Sequence, residues 1–482
     1  MTQSRVAQVM VWIGAGLVVL ALTCRAISIH VPVFDWDEYA FALVARDVLH
    51  GKLPFAGIFD NKPVGLTYVF ALMEWMGGQT VLAVRAVGFI ASAGTAWILY
   101  RSARQLRVPP ALGVAIAALF LFLVFHKNGW SSMSELVACP SLALANHLVL
   151  QGAWRRRGFL LGFGALFGVT CQITYLAVPC LALMAPGILL LGTYPTIFAR
   201  LRDAALMALG FGVVTALIWT PQLLTGDWPD YIAQQVHYHA QYRVASPSLR
   251  EWAHDFITPL SLLSLPLLGA LGLRIWGERS MPVLPAPFWV IGLELLGAVM
   301  AAAVSNRLHP HYFILALPAI ALLTAMAFAR SAERSSRIGC ILLLSVTAVL
   351  AVLSVDTLRA AIQKPSFETQ AAMLVDRFSN ADQGIFVFNE THAIYFLSRR
   401  EAVSSYVFPG HYIAHDGGTP LLAPSSALAQ ALARHPALLV IGFMYPVALD
   451  AGAMAREAGY QMVQQMTVGG RHIDLYCDAC RS

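Results

Sequence analysis

The sequence predicts a polytopic α-helical membrane protein of about 11 transmembrane helices, followed by a small C-terminal α/β domain outside the membrane. Three observations predict it. Of 482 residues, 58% are hydrophobic and only 12% charged, against roughly 25% charged in an ordinary soluble protein. Apolar runs near the ~20 residues needed for one crossing recur along residues 1–356. Short arginine clusters separate them, as the positive-inside rule requires. This balance excludes a soluble globular enzyme and a disordered chain. Residues 1–356 hold 23 Lys and Arg against 16 Asp and Glu, and residues 357–482 hold 9 against 10. The basic surplus therefore sits between apolar runs and is no nucleic-acid footprint.

The first run, 9–28, follows Arg5 and is too long for a signal-peptide core. It reads as an uncleaved span that starts in the cytoplasm. Further runs occupy about 63–79, 83–100, 109–126, 131–151, 159–176, 177–194, 204–224, 255–273, 285–304, 310–328 and 337–355. Placing Arg101/Arg104/Arg107, Arg155–Arg157, Arg200/Arg202, Arg274/Arg279 and Arg330/Arg334/Arg337 inside orients every span from Arg101 onward. Loops around 127–130, 225–254 and 305–311 then face outward, as does the tail. Residues 63–100 must make one net crossing although they hold two runs. The run 63–79, interrupted by Glu74 and Gly77-Gly78, is expected to be re-entrant or interfacial.

The domain division expected is a transmembrane domain, 1–356, with a first outer loop at 29–62, and an accessory domain, 357–482. In the tail, β-rich runs at Gly384–Asn389, Ala437–Gly442 and His472–Tyr476 alternate with helical stretches at 368–379, 425–434 and 448–459. Such alternation predicts an α/β unit. Five cysteines (Cys24, Cys139, Cys171, Cys180, Cys340) lie in apolar runs and read as packing residues. Cys477 and Cys480 form a lone C-x-x-C, open to a disulfide, half of a metal site or neither.

The first outer loop concentrates the chemistry. Asp35, Asp37 and Glu38 put three carboxylates directly after a span, and 38–50 has the spacing of an amphipathic helix on the membrane surface. Burial there would raise a carboxylate toward general-base range; a helix cap by Asp35 or Asp37 is the equal alternative. Asp60 precedes Lys62-Pro63, where Lys62 either snorkels or holds a lipid-linked phosphate. On the outer side, Arg307, His311 and Tyr312 stand at one helix entrance, suited to an anionic phosphate or to a carboxylate partner. Loop 225–254 carries Tyr242 and Arg243, which suit sugar and phosphate contact or an interfacial belt. The spacing His237-x-His239 permits a divalent metal site. Glu135, early in a span, is either functional or part of a helix start near Ser132 and Ser134.

Together, Asp37-Glu38, Asp47-Val-Leu-His-Gly51 with Pro54, and Lys62-Pro63 resemble the C-type fold glycosyltransferases that use polyprenyl-phosphate sugars. These are the protein O-mannosyltransferase family and its bacterial relatives, the lipid A aminoarabinose transferases. Arg85, Glu135 and Arg307 with His311-Tyr312 add weaker matches. The resemblance implies a polyprenyl-phosphate-linked sugar donor and a glycolipid, polysaccharide or protein acceptor at the outer face of a bacterial inner membrane. It implies inversion at the anomeric carbon, with Asp37 as base and Lys62 on the donor phosphate. Asn61 and Ala40 stand where the aminoarabinose transferases carry an acid and an arginine. A lipid-linked glycan polymerase or ligase, or a transporter or flippase, is the alternative. A transporter needs ionisable residues at the midplane of several spans, whereas here they gather at span edges.

Overall fold

The computed structural model describes residues 3–191, 196–225, 231–238, 248–278, 285–304, 309–329, 333–364, 366–414 and 420–478. Among them, seven helices are long and apolar enough to cross a membrane, beginning with Arg5–His30 and Val81–Gln105. Five shorter apolar helices accompany them, Val64–Gly77, Pro110–His126, Ser134–Leu150, Arg157–Cys171 and Tyr175–Leu191. The expected count of eleven is therefore approximate, while the membrane class is plain. The expected runs fall on helices throughout. Val64–Gly77 has 14 residues and so is about 21 Å long at 1.5 Å per residue, short of a ~30 Å hydrocarbon core. It ends at Gly78, whose φ of 69° suits glycine.

The chain divides into two compact units. The first comprises Met1–Ser28, Ala86–Thr220 and Ser246–Arg359. Its helices approach closely where glycine faces backbone. A Cβ on Gly164, in the helix Arg157–Cys171, would lie 1.9 Å from the Met207 carbonyl oxygen of the helix Ile197–Ile218. Small residues at such crossings let van der Waals packing hold helices together in lipid. Arg25, in the last turn of Gln3–Ile27, is buried and donates to the carbonyls of Gly129 and Ser131. It fills the space left by Gly88.

The second unit comprises Ile29–Arg85, Pro221–Ala245 and Ala360–Ser482. The loop after the first span and the tail thus share one body. Its sheet has five strands: β1 (Gly384–Phe388), β2 (Glu401–Ala402), β3 (Leu438–Gly442), β4 (Gln461–Val468) and β5 (Arg471–Cys477), in the order β2-β1-β3-β5-β4. β1 pairs in parallel with β2 and β3, while β5 runs antiparallel to both β3 and β4. Helices Phe367–Phe378, Pro424–Leu432 and Ala451–Glu457 complete the α/β fold read from the sequence. Two strands escaped that reading. β2 is two residues long. β4 is a mostly exposed, glutamine-rich edge, joined to β5 by Gly469-Gly470, both at positive φ as a tight hairpin needs. Phe386, Phe388, Tyr412, Leu439, Ile441 and Tyr476 form the core over one face of the sheet. The five apolar-run cysteines are free and buried, as expected. Cys477 is disulfide-bonded, and Cys480 lies outside the described residues.

Candidate active site

The second unit gathers the acids. The helix Asp37–Leu49 begins where Asp35 turns the chain, its Oδ1 accepting the Asp37 N–H at 3.0 Å. The N-cap position itself is Trp36, with no side-chain cap, and Asp35 braces the turn that leads into it. The Asp37 side chain makes no hydrogen bond or ion pair among the described residues, although it lies within electrostatic reach of Asp60 and His392.

Glu38, the neighbouring acid of the cluster, has a side chain 0% exposed, and its Oε1 lies 2.8 Å from Arg85, itself 1% exposed. A buried carboxylate held by a guanidinium ties down the helix start. Arg85 also donates to the Val31 carbonyl at 3.3 Å and lies over the Phe34 ring at 5.0 Å. One cation therefore ties the helix start to the loop before it. The helix expected at the membrane surface is itself packed within the second unit. Tyr39, Phe41, Ala42, Leu43, Val44, Ala45, Arg46 and Asp47 are all buried, because Val64–Gly77 and Ala393–Leu397 pack against this helix. Tyr39 meets Phe396 at 5.0 Å between ring centroids.

The loop that follows is held at fixed points. Asp47 accepts from Lys52 Nζ at 3.0 Å and from Ile58 N–H at 3.2 Å. Gly57 leaves room for that carboxylate, since a Cβ there would lie 2.1 Å from Asp47 Oδ2. Gln234 accepts the Asp60 N–H through its side-chain oxygen at 3.1 Å and donates to the Phe55 carbonyl at 2.7 Å. Gln235 donates to the Asp60 carbonyl at 2.8 Å. Both glutamines are buried. They escaped sequence reading because neutral amides carry no charge signal.

Asp60 is buried and accepts the Lys62 N–H at 3.2 Å. Burial pushes its carboxyl up to about 6; the Lys62 cation and backbone N–H groups pull the other way, and the Asp37 charge adds to the rise. Lys62 Nζ lies 5.9 Å from the Phe41 ring centroid. An Asp whose folded pKa exceeds its unfolded one stabilises the fold fully below about pH 3.8, and that stability is lost as pH rises through about 6. Asp60→Asn keeps the oxygen acceptor and removes the titration. The wild type should therefore lose up to about 3 kcal/mol relative to this variant between pH 4 and 7, read by thermal unfolding across that range.

The remaining candidates fall in the first unit or outside the described residues. Glu135, His311 and Tyr312 belong to the first unit. Glu135 is buried and accepts from the Ser134 hydroxyl at 3.1 Å, and Ser132 instead accepts the Gly88 N–H, so neither serine caps this helix. His311 is buried, with its ring 5.4 Å from His309 and 4.7 Å from Tyr312. Tyr242, Arg243, Arg307, His239 and the His237 side chain lie outside the described residues. Among those described, no three His, Cys, Asp or Glu side chains group to hold a metal ion; the two expected ligands, His237 and His239, fall outside the described side chains.

No family model matches the chain. It is 25% identical over 308 residues to the undecaprenyl phosphate-alpha-4-amino-4-deoxy-L-arabinose arabinosyl transferase of Edwardsiella ictaluri, covering 60% of this chain and 54% of that one. It is 24% identical over 371 residues to that of Pseudomonas paraeruginosa, covering 70% and 64%. The matches thus span about half to two thirds of these relatives' length. The crystal structure of ArnT from Cupriavidus metallidurans bound to undecaprenyl phosphate superposes with a TM-score of 0.67 at 15% identity, covering 96% of this chain and 97% of that one. The chain has the ArnT fold. The apo state of the same ArnT superposes at 0.65. The likeness to aminoarabinose transferases read from the acidic loop and Lys62-Pro63 thus extends, as a shared ArnT fold, over nearly the whole chain.

Proposed function

We propose that this protein is a membrane glycosyltransferase moving a sugar from a polyprenyl-phosphate donor to an acceptor at the outer face of the bacterial inner membrane. The observation that carries this reading is Asp37. Its carboxylate stands unengaged among the described residues, at the start of a buried helix, while Asp60 and Lys62 share its electrostatic surroundings. In this reading Asp37 takes a proton from an acceptor hydroxyl or amine. The acceptor atom bonds to the anomeric carbon as the bond to the phosphate oxygen breaks, inverting the centre. The electron pair leaves on the polyprenyl phosphate, whose growing charge Lys62 offsets. Asp35 and Glu38 hold the helix start, and Asp60 holds the Lys62 backbone N–H. The donor class is a polyprenyl-phosphate-linked aminopentose or related sugar, by analogy with the relatives. A glycolipid such as lipid A is the first acceptor to try, then a polysaccharide or a protein.

Mass spectrometry of envelope glycans and glycoproteins, with and without the gene, identifies the product; an unchanged envelope sinks the proposal. Lys62→Ala should raise the donor KM by about tenfold or more, the loss of one charge-assisted phosphate contact, with acceptor KM unchanged. An equal rise in both would remove Lys62 from the donor phosphate.

A further inference from the structure

The tail domain reaches the helix start through the side chain of His392. His392 follows β1 by four residues, is 0% exposed, and places Nε2 2.6 Å from the Trp36 carbonyl oxygen. Trp36 is the residue before Asp37, and its carbonyl already accepts the Tyr39 N–H at 2.9 Å in the first helical turn. A carbonyl only accepts, so Nε2 carries the hydrogen. Nδ1 is buried with no partner among the described residues, which a second N–H could not tolerate without a large penalty. Burial accordingly pushes the imidazole down to about 4, and it stays neutral through the physiological range. A neutral donor fixes the peptide without placing a cation beside Asp37.

We propose that His392 is a positioning residue for Asp37: from the tail domain it fixes the Trp36–Asp37 peptide on the carbonyl side, while Asp35 fixes the N–H side. This rests on the reading of Asp37 as the base. Asp37 is then clamped at both ends of its peptide link, by Asp35 Oδ1 at 3.0 Å and His392 Nε2 at 2.6 Å. The contacts around the clamp agree in direction. Phe396, one turn beyond His392, packs on Tyr39, and the Phe59 N–H donates to the Ser405 carbonyl at 2.8 Å. The tail thereby forms part of the site's scaffold.

The test compares the full-length protein with His392→Phe, which keeps the ring and its packing on Phe408, and with His392→Gln, whose amide can donate to the same carbonyl. His392→Phe should lower kcat by about 100-fold, the cost of a misplaced reacting group, with donor KM within about threefold. His392→Gln should recover most of that loss. Hydrogen exchange of the 37–41 amides should quicken in the Phe variant by about tenfold or more and stay near wild type in the Gln variant, with β1 and β3 unchanged in both. Wild-type kcat or wild-type exchange in the Phe variant overturns the proposal, as does a Gln variant equally impaired. If the wild-type protein consumes no polyprenyl-phosphate donor, the transferase reading fails. The exchange at 37–41 then decides by itself whether His392 holds this peptide.

Discussion

Asp37→Asn lowers sugar transfer by about 10²–10⁴-fold, the range supplied by a positioned general base, and leaves expression and donor affinity near wild type. Asn preserves size and hydrogen-bonding oxygen but cannot take a proton from the acceptor. Nothing in the fold asks for a charge at this position: the Asp37 backbone is held by Asp35, and its carboxylate pairs with no described side chain. The variant should therefore unfold at the same temperature as the wild type. A steady-state assay with saturating donor separates the two quantities, since kcat falls while donor KM stays put. Full activity in Asp37→Asn would move the base to another residue. A matched loss of folded protein would make Asp37 a structural acid instead.

Arg85→Leu should carry the largest stability cost in the second unit, about 3–5 kcal/mol, because it strands the buried Glu38 carboxylate. The pair is fully enclosed, with Arg85 1% and Glu38 0% exposed at 2.8 Å. The Val31 carbonyl and the Phe34 ring lose their cation as well. Glu38→Gln alone should cost less, since a neutral amide remains. The double change to Glu38→Gln and Arg85→Met should recover much of the loss, and a double-mutant cycle on thermal unfolding in detergent measures the coupling directly. Additive effects would mean that the pair organises nothing.

Much of the architecture was legible in the sequence because lipid imposes a strict rule. Backbone groups in hydrocarbon must be satisfied within helices, so each apolar run marks a helix to within a few residues, as at Pro110–His126 and Ala286–Val304. The tail's buried strands were legible because strands covered on both faces read as short continuous apolar runs: β1 and β3 are almost wholly apolar. β4 was not, because an exposed, glutamine-rich edge looks like a loop until β5 pairs with it.

The site divided in a similar way. Charge is scarce in this chain, so Asp35, Asp37, Asp60 and Lys62 stood out. What each of them does was not written locally. Glu38 reads like a twin of Asp37, yet the two adjacent positions lie about 100° apart around a helix. One turns to the buried Arg85 and the other does not. The helix Asp37–Leu49 has an amphipathic spacing, but partners from Val64–Gly77 and Ala393–Leu397 cover both faces. His392, Gln234 and Gln235 act across hundreds of residues through neutral hydrogen bonds. Only the position of His392 just past the carboxyl end of a parallel strand, where α/β sheets commonly place functional groups, gave any hint.

The most direct test uses the purified full-length protein with a polyprenyl-phosphate-linked aminopentose and a glycolipid acceptor, counting free polyprenyl phosphate against sugar transferred. The wild type should release one polyprenyl phosphate for each sugar joined to the acceptor, and Asp37→Asn should release almost none. Movement of the intact lipid-linked sugar across the bilayer with no phosphate released, or equal release by both proteins, would contradict the account.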